Sequence, residues 1–309
     1  MNKVFLFITL CSMTLLYSCV TQDVKTDCNV NVVLEVKCDS EWLQDYQMEY
    51  TRASDVGMVY KFEIFKAGDT TQPVKEFNYI TDTPVASSFS TTLELLPGEY
   101  DIYVWADVCN LSDQKSLFFN DMDFASISCI LPYEANTDNK VAFRGNASIK
   151  IPYTSNFVSQ TITLERPQAR YIVIAENFNE TGITATELEA YTVKVSYPLF
   201  LPFKFNNFTN KDFDSQTGIS YTGNLVMLSD NTAQLALDYV FVNEGEGGVE
   251  ISLSILDSNG NIAGDTGTFS IPLQRNRTTI VSGQFFTTKG NGDVTINPDF
   301  DGQHNIEIK

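Results

Sequence analysis

Apolar and polar positions alternate with a period of two through most of the chain. Tyr60, Phe62 and Ile64 are separated by Lys61 and Glu63, and Tyr100, Ile102, Val104 and Ala106 follow the turn Leu96-Pro97-Gly98-Glu99. Ile149 and Ile151 flank Lys150; Ile162 and Leu164 lead into Arg166-Pro167, after which Tyr171 to Ile174 is an unbroken apolar run. Tyr191, Val193, Val195 and Tyr197 alternate with Thr192, Lys194 and Ser196, and the pattern returns over Leu235–Phe241, Val249–Ile255, Phe269–Ile271 and Thr279–Phe286. This periodicity places side chains on opposite faces of a strand. Ser258-Asn259-Gly260-Asn261 carries a hairpin turn signal. Helical spacing is confined to short pieces, Glu41 to Tyr46 and Asn120 to Ser128. Many short strands without intervening helices predict an all-β chain of antiparallel β-sandwiches.

At 309 residues, two sandwiches are expected. The polar, turn-rich stretch Tyr153-Thr154-Ser155-Asn156-Phe157 is the expected boundary, because few contacts should cross it. The division is then an N-terminal sandwich over 28–155, a C-terminal sandwich over 156–289 and a polar tail over 290–309 hinged at Gly290-Asn291-Gly292. No repeat of fixed period is visible.

The first residues are an address rather than part of the fold. Lys3 precedes a mostly apolar run, Val4 to Leu16, with the layout of a secretory signal and too short to span a bilayer. It ends in Leu16-Tyr17-Ser18-Cys19, which resembles a bacterial lipobox, departing from the usual pattern at Tyr17. The reading is a signal peptide over 1–18, lipidation of Cys19 and a tether over 19–27. One acyl chain holds marginally, at about 0.8 kcal/mol per buried methylene, whereas the several chains of a bacterial lipoprotein hold firmly.

Charge and histidine count narrow the function. The chain has 39 acidic and 20 basic residues, a net charge of −19. Loss of Lys3 with the leader takes it to −20. Nucleic acid and anionic lipid both select clustered Lys and Arg, so neither is an expected partner. The single histidine, His304, excludes a multi-histidine zinc site and leaves any His-based triad dependent on the tail. No Gly-x-Ser-x-Gly or phosphate loop is present, and no cofactor is expected. Asp257-Ser258-Asn259-Gly260-Asn261 opens like a calcium loop but has Ile262 and Thr268 where Gly and Glu are required, so a hairpin turn is expected. Asp299-Phe300-Asp301-Gly302 fails the same test. Asp121 and Asp123 are close enough in sequence to suggest a glycosidase pair, but solvated loop acids are the default.

Cys11 leaves with the leader, and Cys28, Cys38, Cys109 and Cys129 remain in an exported chain. Cys28 and Cys38 flank one strand-like run. Ten residues at roughly 3.3 Å each separate them by about 30 Å, beyond disulfide reach. Cys109 with Cys129 is the pair to test first, against buried thiols acting as small hydrophobes.

Several phrases, in order behind the lipobox, carry a resemblance. They are Leu96-Pro97-Gly98-Glu99-Tyr100 running into Val104-Trp105-Ala106-Asp107, Val141-Ala142-Phe143-Arg144-Gly145, and Leu164-Glu165-Arg166-Pro167-Gln168-Ala169-Arg170. Asp238-Tyr239-Val240-Phe241-Val242-Asn243, Pro272-Leu273-Gln274-Arg275-Asn276 and Ile296-Asn297-Pro298-Asp299-Phe300-Asp301-Gly302 complete the set. Together they resemble the fimbrillin-like lipoproteins of Bacteroidales, closest to a branch of unknown-function domains akin to fimbrial anchor subunits. The resemblance implies two tandem transthyretin-like β-sandwiches, an outer-membrane lipid anchor and a non-enzymatic part in fimbriae used for adhesion. It implies other fimbrial subunits as partners, joined when a sheet edge accepts a neighbour's strand. Polymerising subunits of this kind need an N-terminal strand removed by proteolysis. Arg166 and Arg170 serve as cleavage points only if exposed and are otherwise structural. An anchor keeps its N-terminus for the lipid, which favours anchor over shaft. The tail is either a strand offered to a partner or a last edge strand. Periplasmic and surface-facing placements both stay open. The competing reading is a glycan-binding surface lipoprotein, with Trp42, Trp105 and some of the 14 Tyr as stacking platforms.

Overall fold

The computed structural model describes residues 28–38, 55–176, 183–286, 294–296 and 303–308. Cys19, Trp42, the Glu41–Tyr46 segment and the Asp299 turn lie outside them. The described chain is nearly all β and is built from four sheets.

The first sheet runs β4 (Phe89–Leu95), β1 (Val30–Cys38), β9 (Phe157–Leu164). The second runs β3 (Lys75–Thr81), β2 (Val56–Lys66), β5 (Gly98–Asn110), β8 (Ala142–Ile151). Their apolar faces share one core: Val32, Leu34, Ile64, Ile102, Val104 and Ile162 are all fully buried in it. The third sheet runs β16 (Ile262–Gln274), β15 (Glu246–Leu256), β11 (Thr192–Asn206), β7 (Ile127–Cys129), β6 (Phe119–Asn120), with β12 (Lys211–Asn224) also paired to β11. The fourth runs β13 (Val226–Met227), β14 (Ala233–Phe241), β10 (Gln168–Ala175), β17 (Thr278–Gly283), β19 (Gln303–Ile308), β18 (Val294–Ile296). A second core, with Val193, Val195, Leu253 and Ile271 fully buried, lies against these strands.

The two cores meet. Every residue of β10 is buried. Ala169, Tyr171, Val173 and Ala175 belong to the second core, while Ile172 and Ile174 belong to the first. A strand covered on both faces needs apolar residues at every position, which explains the unbroken run Tyr171–Ile174. β5 does the same from the other side: Ile102, Val104, Ala106 and Val108 face the first core, and Trp105 faces the second. Gly145 permits the close approach of β8 to β9, since a Cβ there would lie 2.8 Å from Ile162 Cγ2 and 3.0 Å from the Thr163 carbonyl oxygen.

Three sequence expectations need correction. The turn at Tyr153–Phe157 is exposed as expected, but Phe157–Leu164 does not leave the first half. It pairs in parallel with β1, Val32 opposite Val158, and buries Ile162 and Leu164 in the first core. In the other direction β6 and β7, at 119–129, pair into the third sheet through Ser128 opposite Lys204 and Ile127 opposite Phe205. Asn120 to Ser128 is not helical. Its ends pair, Asn120 opposite Ser128, and Asp123 closes the turn by accepting from the Ala125 and Ser126 amides. The one described α-helix, α1 (Ala185–Leu188), was not anticipated. Its signal is Thr184 with Glu187 three residues on, a capping box with bonds in both directions.

Candidate functional site

The N-terminal strand is the first feature with functional weight. β1 lies between two neighbours, antiparallel to β4 and parallel to β9. Val30, Val32, Leu34 and Val36 are 0–3 % exposed. Burying each such side chain contributes about 1.5–3 kcal/mol before ordering costs. β1 is therefore an integral, central strand of its sheet.

Sheet edges are the second feature. β12 is the longest described strand paired on one side only. Asp214 at φ 57° and Gly218 at φ 69° bend it, and irregularities of this kind shorten the run an incoming strand could pair with. Along β11, β15 pairs only as far as Ser196 and β7 pairs at Lys204 and Phe205. Between them Leu199 and Phe200 are 50 % and 67 % exposed.

The predicted site residues are distributed as follows. Cys19 lies outside the described residues. Cys109 and Cys129 are both buried, and each is a free thiol. Cys109 is set opposite Gly57 of β2 and bridges Ser116, whereas Cys129 is set opposite Phe119 in another sheet. Burial pushes both thiols up to about 11, so neither is reactive at neutral pH. Cys28 is exposed and Cys38 half-buried. Arg166 and Arg170 are 2 % and 1 % exposed, which removes them as protease sites. Trp105 lies on the face of Tyr103, but that face is covered: its ring is fully buried and packs against Phe119, Phe205 and Phe241. It is no sugar platform. The Asp257 turn is the expected hairpin, its carboxylate accepting from the Asn259 and Asn261 amides. Among the described residues no group of three His, Cys, Asp or Glu side chains could hold a metal. His304 lies in β19, in register with Thr279.

Two polar clusters were not visible in the sequence. In the first, Asp107 accepts from Trp105 Nε1 at 2.8 Å and Ser116 Oγ at 3.0 Å. Burial, and then the charge of Asp121, hold its carboxyl well above the usual range. Asp121 pairs with Lys61 at 2.6 Å, so the acids at 121 and 123 do not face each other as a catalytic pair: Asp123 is spent on its turn. Lys61, Glu63, Glu76, Asn78 and Asp121 line a cleft of about 190 Å³. Glu63 stands opposite Glu76 across the strands. Desolvation, then Glu76 and Asp123, raise it from 4.5 to about 7.

Folding therefore holds a proton on Glu63 that the unfolded chain releases, and stability falls as pH rises from 4.5 to about 7. The full linkage of about 1.4 kcal/mol per pKa unit is reduced by solvent screening of this half-buried group to about 1 kcal/mol. Glu63→Gln should stabilise the protein by that amount at about pH 8 and leave it nearly unchanged at about pH 5, read from urea midpoints at both.

The second cluster lies where the two cores meet. Lys140 Nζ is 2.7 Å from Asp238 Oδ1, with side chains 1 % and 0 % exposed. Tyr133 and Tyr197 hydroxyls donate to Asp238 Oδ2 at 2.8 and 2.5 Å, and the Tyr239 amide donates to Oδ1. Beside it, Arg170 pairs with Asp138 at 2.7 Å. Burial, followed by the charge of Asp238, raises the Tyr133, Tyr171 and Tyr197 hydroxyls.

A family profile matches residues 21–309. The chain belongs to DUF6562, a family of unknown function. No curated protein matches it. Among solved structures, it is similar to a candidate adhesin from Bacteroides thetaiotaomicron at 8 % identity and a TM-score of 0.49, over 91 % of this chain and 97 % of that one. It is similar to a candidate cell adhesion protein from Bacteroides eggerthii at 14 % identity and TM-score 0.44, over 91 % and 95 %. It is also similar to the fimbrial anchor protein Mfa2 from Porphyromonas gingivalis at 14 % identity and TM-score 0.41, over 77 % and 82 %.

Proposed function

We propose that this DUF6562 chain is a non-enzymatic lipoprotein of the outer membrane, a fimbrial anchor or accessory subunit that joins its partners by β-strand addition and serves adhesion. The observation that carries the reading is the position of β1. The chain's first described strand fills the middle of its own sheet, with four buried apolar side chains. A subunit that receives a neighbour's strand in that slot must first lose its own. A subunit that keeps β1 needs no cut on the N-terminal side of that strand, where Cys19 stands eleven residues before Val30. Those residues, fully extended, reach about 36 Å from the membrane. The burial of Arg166 and Arg170 supports the same role, because neither offers a cut within the 164–170 crossing. Partner strands are then taken up at an edge that stays unpaired, with β12 the longest.

The test is Cys19→Ala in the source bacterium. The variant is expected to leave the membrane fraction for the soluble one and to carry no acyl label, while fimbriae are shed or lengthened. Unchanged membrane attachment would refute the lipid step. Normal fimbriae alongside a released protein would refute the anchor role.

A further inference from the structure

We propose that Lys140 and Asp238 condense to an intramolecular amide, a covalent cross-link between the two halves of the molecule that forms without an enzyme once the chain has folded. The pair has the features such a bond needs. The two residues are 98 positions apart in sequence and 2.7 Å apart in space, with both side chains excluded from solvent. With Nζ against Oδ1, the acyl carbon Cγ is at most one C–O bond farther away. Nζ lies 3.6 Å from the Tyr133 ring centroid, and Asp238 Oδ1 is its one hydrogen-bond acceptor among the described residues. An ammonium has three donors to satisfy. Among the described residues this one acceptor and the face of the Tyr133 ring are what the site offers those donors.

The step balances within the pair. The step begins with transfer of one proton along the hydrogen bond from Nζ to Oδ1, which turns the ion pair into an amine and a carboxylic acid. The amine lone pair then forms the N–Cγ bond. Charge collects on Oδ2, where the hydroxyls of Tyr133 and Tyr197 already donate, the arrangement that stabilises an oxyanion without reorganisation. Tyr171, 2.6 Å from the Tyr197 hydroxyl, holds that donor in line. Oδ1 takes a second proton from nitrogen and leaves as water as the Cγ–Oδ1 bond breaks. The products are an amide and one water; nothing is oxidised or reduced. A cavity of about 60 Å³, lined by Lys140, Tyr133 and Cys129 among others, lies on the lysine side of the pair and is large enough to hold one water.

The bond would tie the Asp138–Lys140 turn, which leads into β8 of the second sheet, to β14 of the fourth. Tension along the chain could not then separate the two cores at this junction. The inference does not depend on how the chain is anchored or on what it binds.

Peptide mapping by mass spectrometry of the purified full chain, denatured before digestion, tests it. The peptides holding Lys140 and Asp238 are expected as one branched species, lighter by one water than their sum, with no tryptic cut after Lys140. In Asp238→Ala and in Lys140→Arg the branched species should be lost, and the unreduced, boiled protein should migrate more slowly on a denaturing gel. Two separate peptides of full mass from the wild-type chain would overturn the proposal and leave a simple buried ion pair. A branch that persists in Asp238→Ala would overturn it as well. The wild-type map decides the matter even if a variant fails to fold.

Discussion

Trp105→Ala is expected to cost about 3–5 kcal/mol of folding stability from lost packing alone. The indole is fully buried and joins parts of the fold that are distant in sequence: it lies in β5 of the second sheet, yet packs on Phe119 at 5.9 Å, Phe205 at 6.0 Å and Phe241 at 6.4 Å between ring centroids. Alanine would leave a cavity where the two cores meet, lined by aromatic rings too stiff to close it. The variant also loses the Nε1 donor to Asp107. That carboxyl is fully buried, and its other oxygen, Oδ1, has no hydrogen-bond partner among the described residues. Leaving such a group short of another donor adds about 1–3 kcal/mol. Against a total stability of about 5–15 kcal/mol for a typical domain, the variant stands near the limit of folding. Trp105→Phe separates the two contributions, because it keeps most of the ring contacts and removes the donor. Urea denaturation followed by circular dichroism, which needs no tryptophan signal, reads both. A loss under 1 kcal/mol for Trp105→Ala would mean that the two cores do not share this contact in solution.

The strands were legible in the sequence because their signal is local. Alternation through Tyr60–Ile64, Tyr191–Tyr197 and Val249–Ile255 reports one buried face, and each of these is a strand with that face inward. The cover over Trp105 was not legible. Its neighbours Phe205 and Phe241 lie 100 residues or more away, and period-two alternation says which side a residue points to, not what lies there. The pairing of the strand after Tyr153–Phe157 was not legible for a related reason. A polar turn marks the end of a strand, but whether the next strand joins the same sheet depends on its partner, here β1 more than a hundred residues earlier. The Asn120–Ser128 segment misled because nine residues hold too little periodicity to tell a turn of helix from a two-residue hairpin. Lys140 and Asp238 carried no signal at all: each sits in an unremarkable local sequence, and only the fold brings them together. Arg166 and Arg170 were closer to readable, since two arginines in one short crossing between halves are either cut sites or buried partners, and burial decides for the second.

Arg170→Met carries that decision into a measurement. Arg170 Nη2 is 2.7 Å from Asp138 Oδ1, with the two side chains 2 % and 7 % exposed. The same carboxylate oxygen accepts from Tyr239 Oη at 2.9 Å, and the guanidinium carbon lies 5.9 Å from the Tyr239 ring. Removing one partner of a buried pair costs about 3–5 kcal/mol, mostly because the remaining charge is left in a medium that cannot solvate it. Methionine fills much of the arginine's volume, so the loss would report the carboxylate deprived of this ion pair rather than a void. Two further variants fix the cause. Arg170→Lys keeps the charge and loses the planar fork, and should fall between wild type and Arg170→Met. Asp138→Asn in the Arg170→Met background removes the carboxylate charge while keeping an acceptor for Tyr239, and should restore more than half of the loss. The urea midpoint should fall with the slope unchanged, as expected when stability alone is altered. A small effect for Arg170→Met, near the 1 kcal/mol or less of an exposed pair, would mean that water reaches this junction and that the two cores are held by apolar contact alone. No recovery in the double variant would assign the loss to packing around the guanidinium instead of to the charge on Asp138.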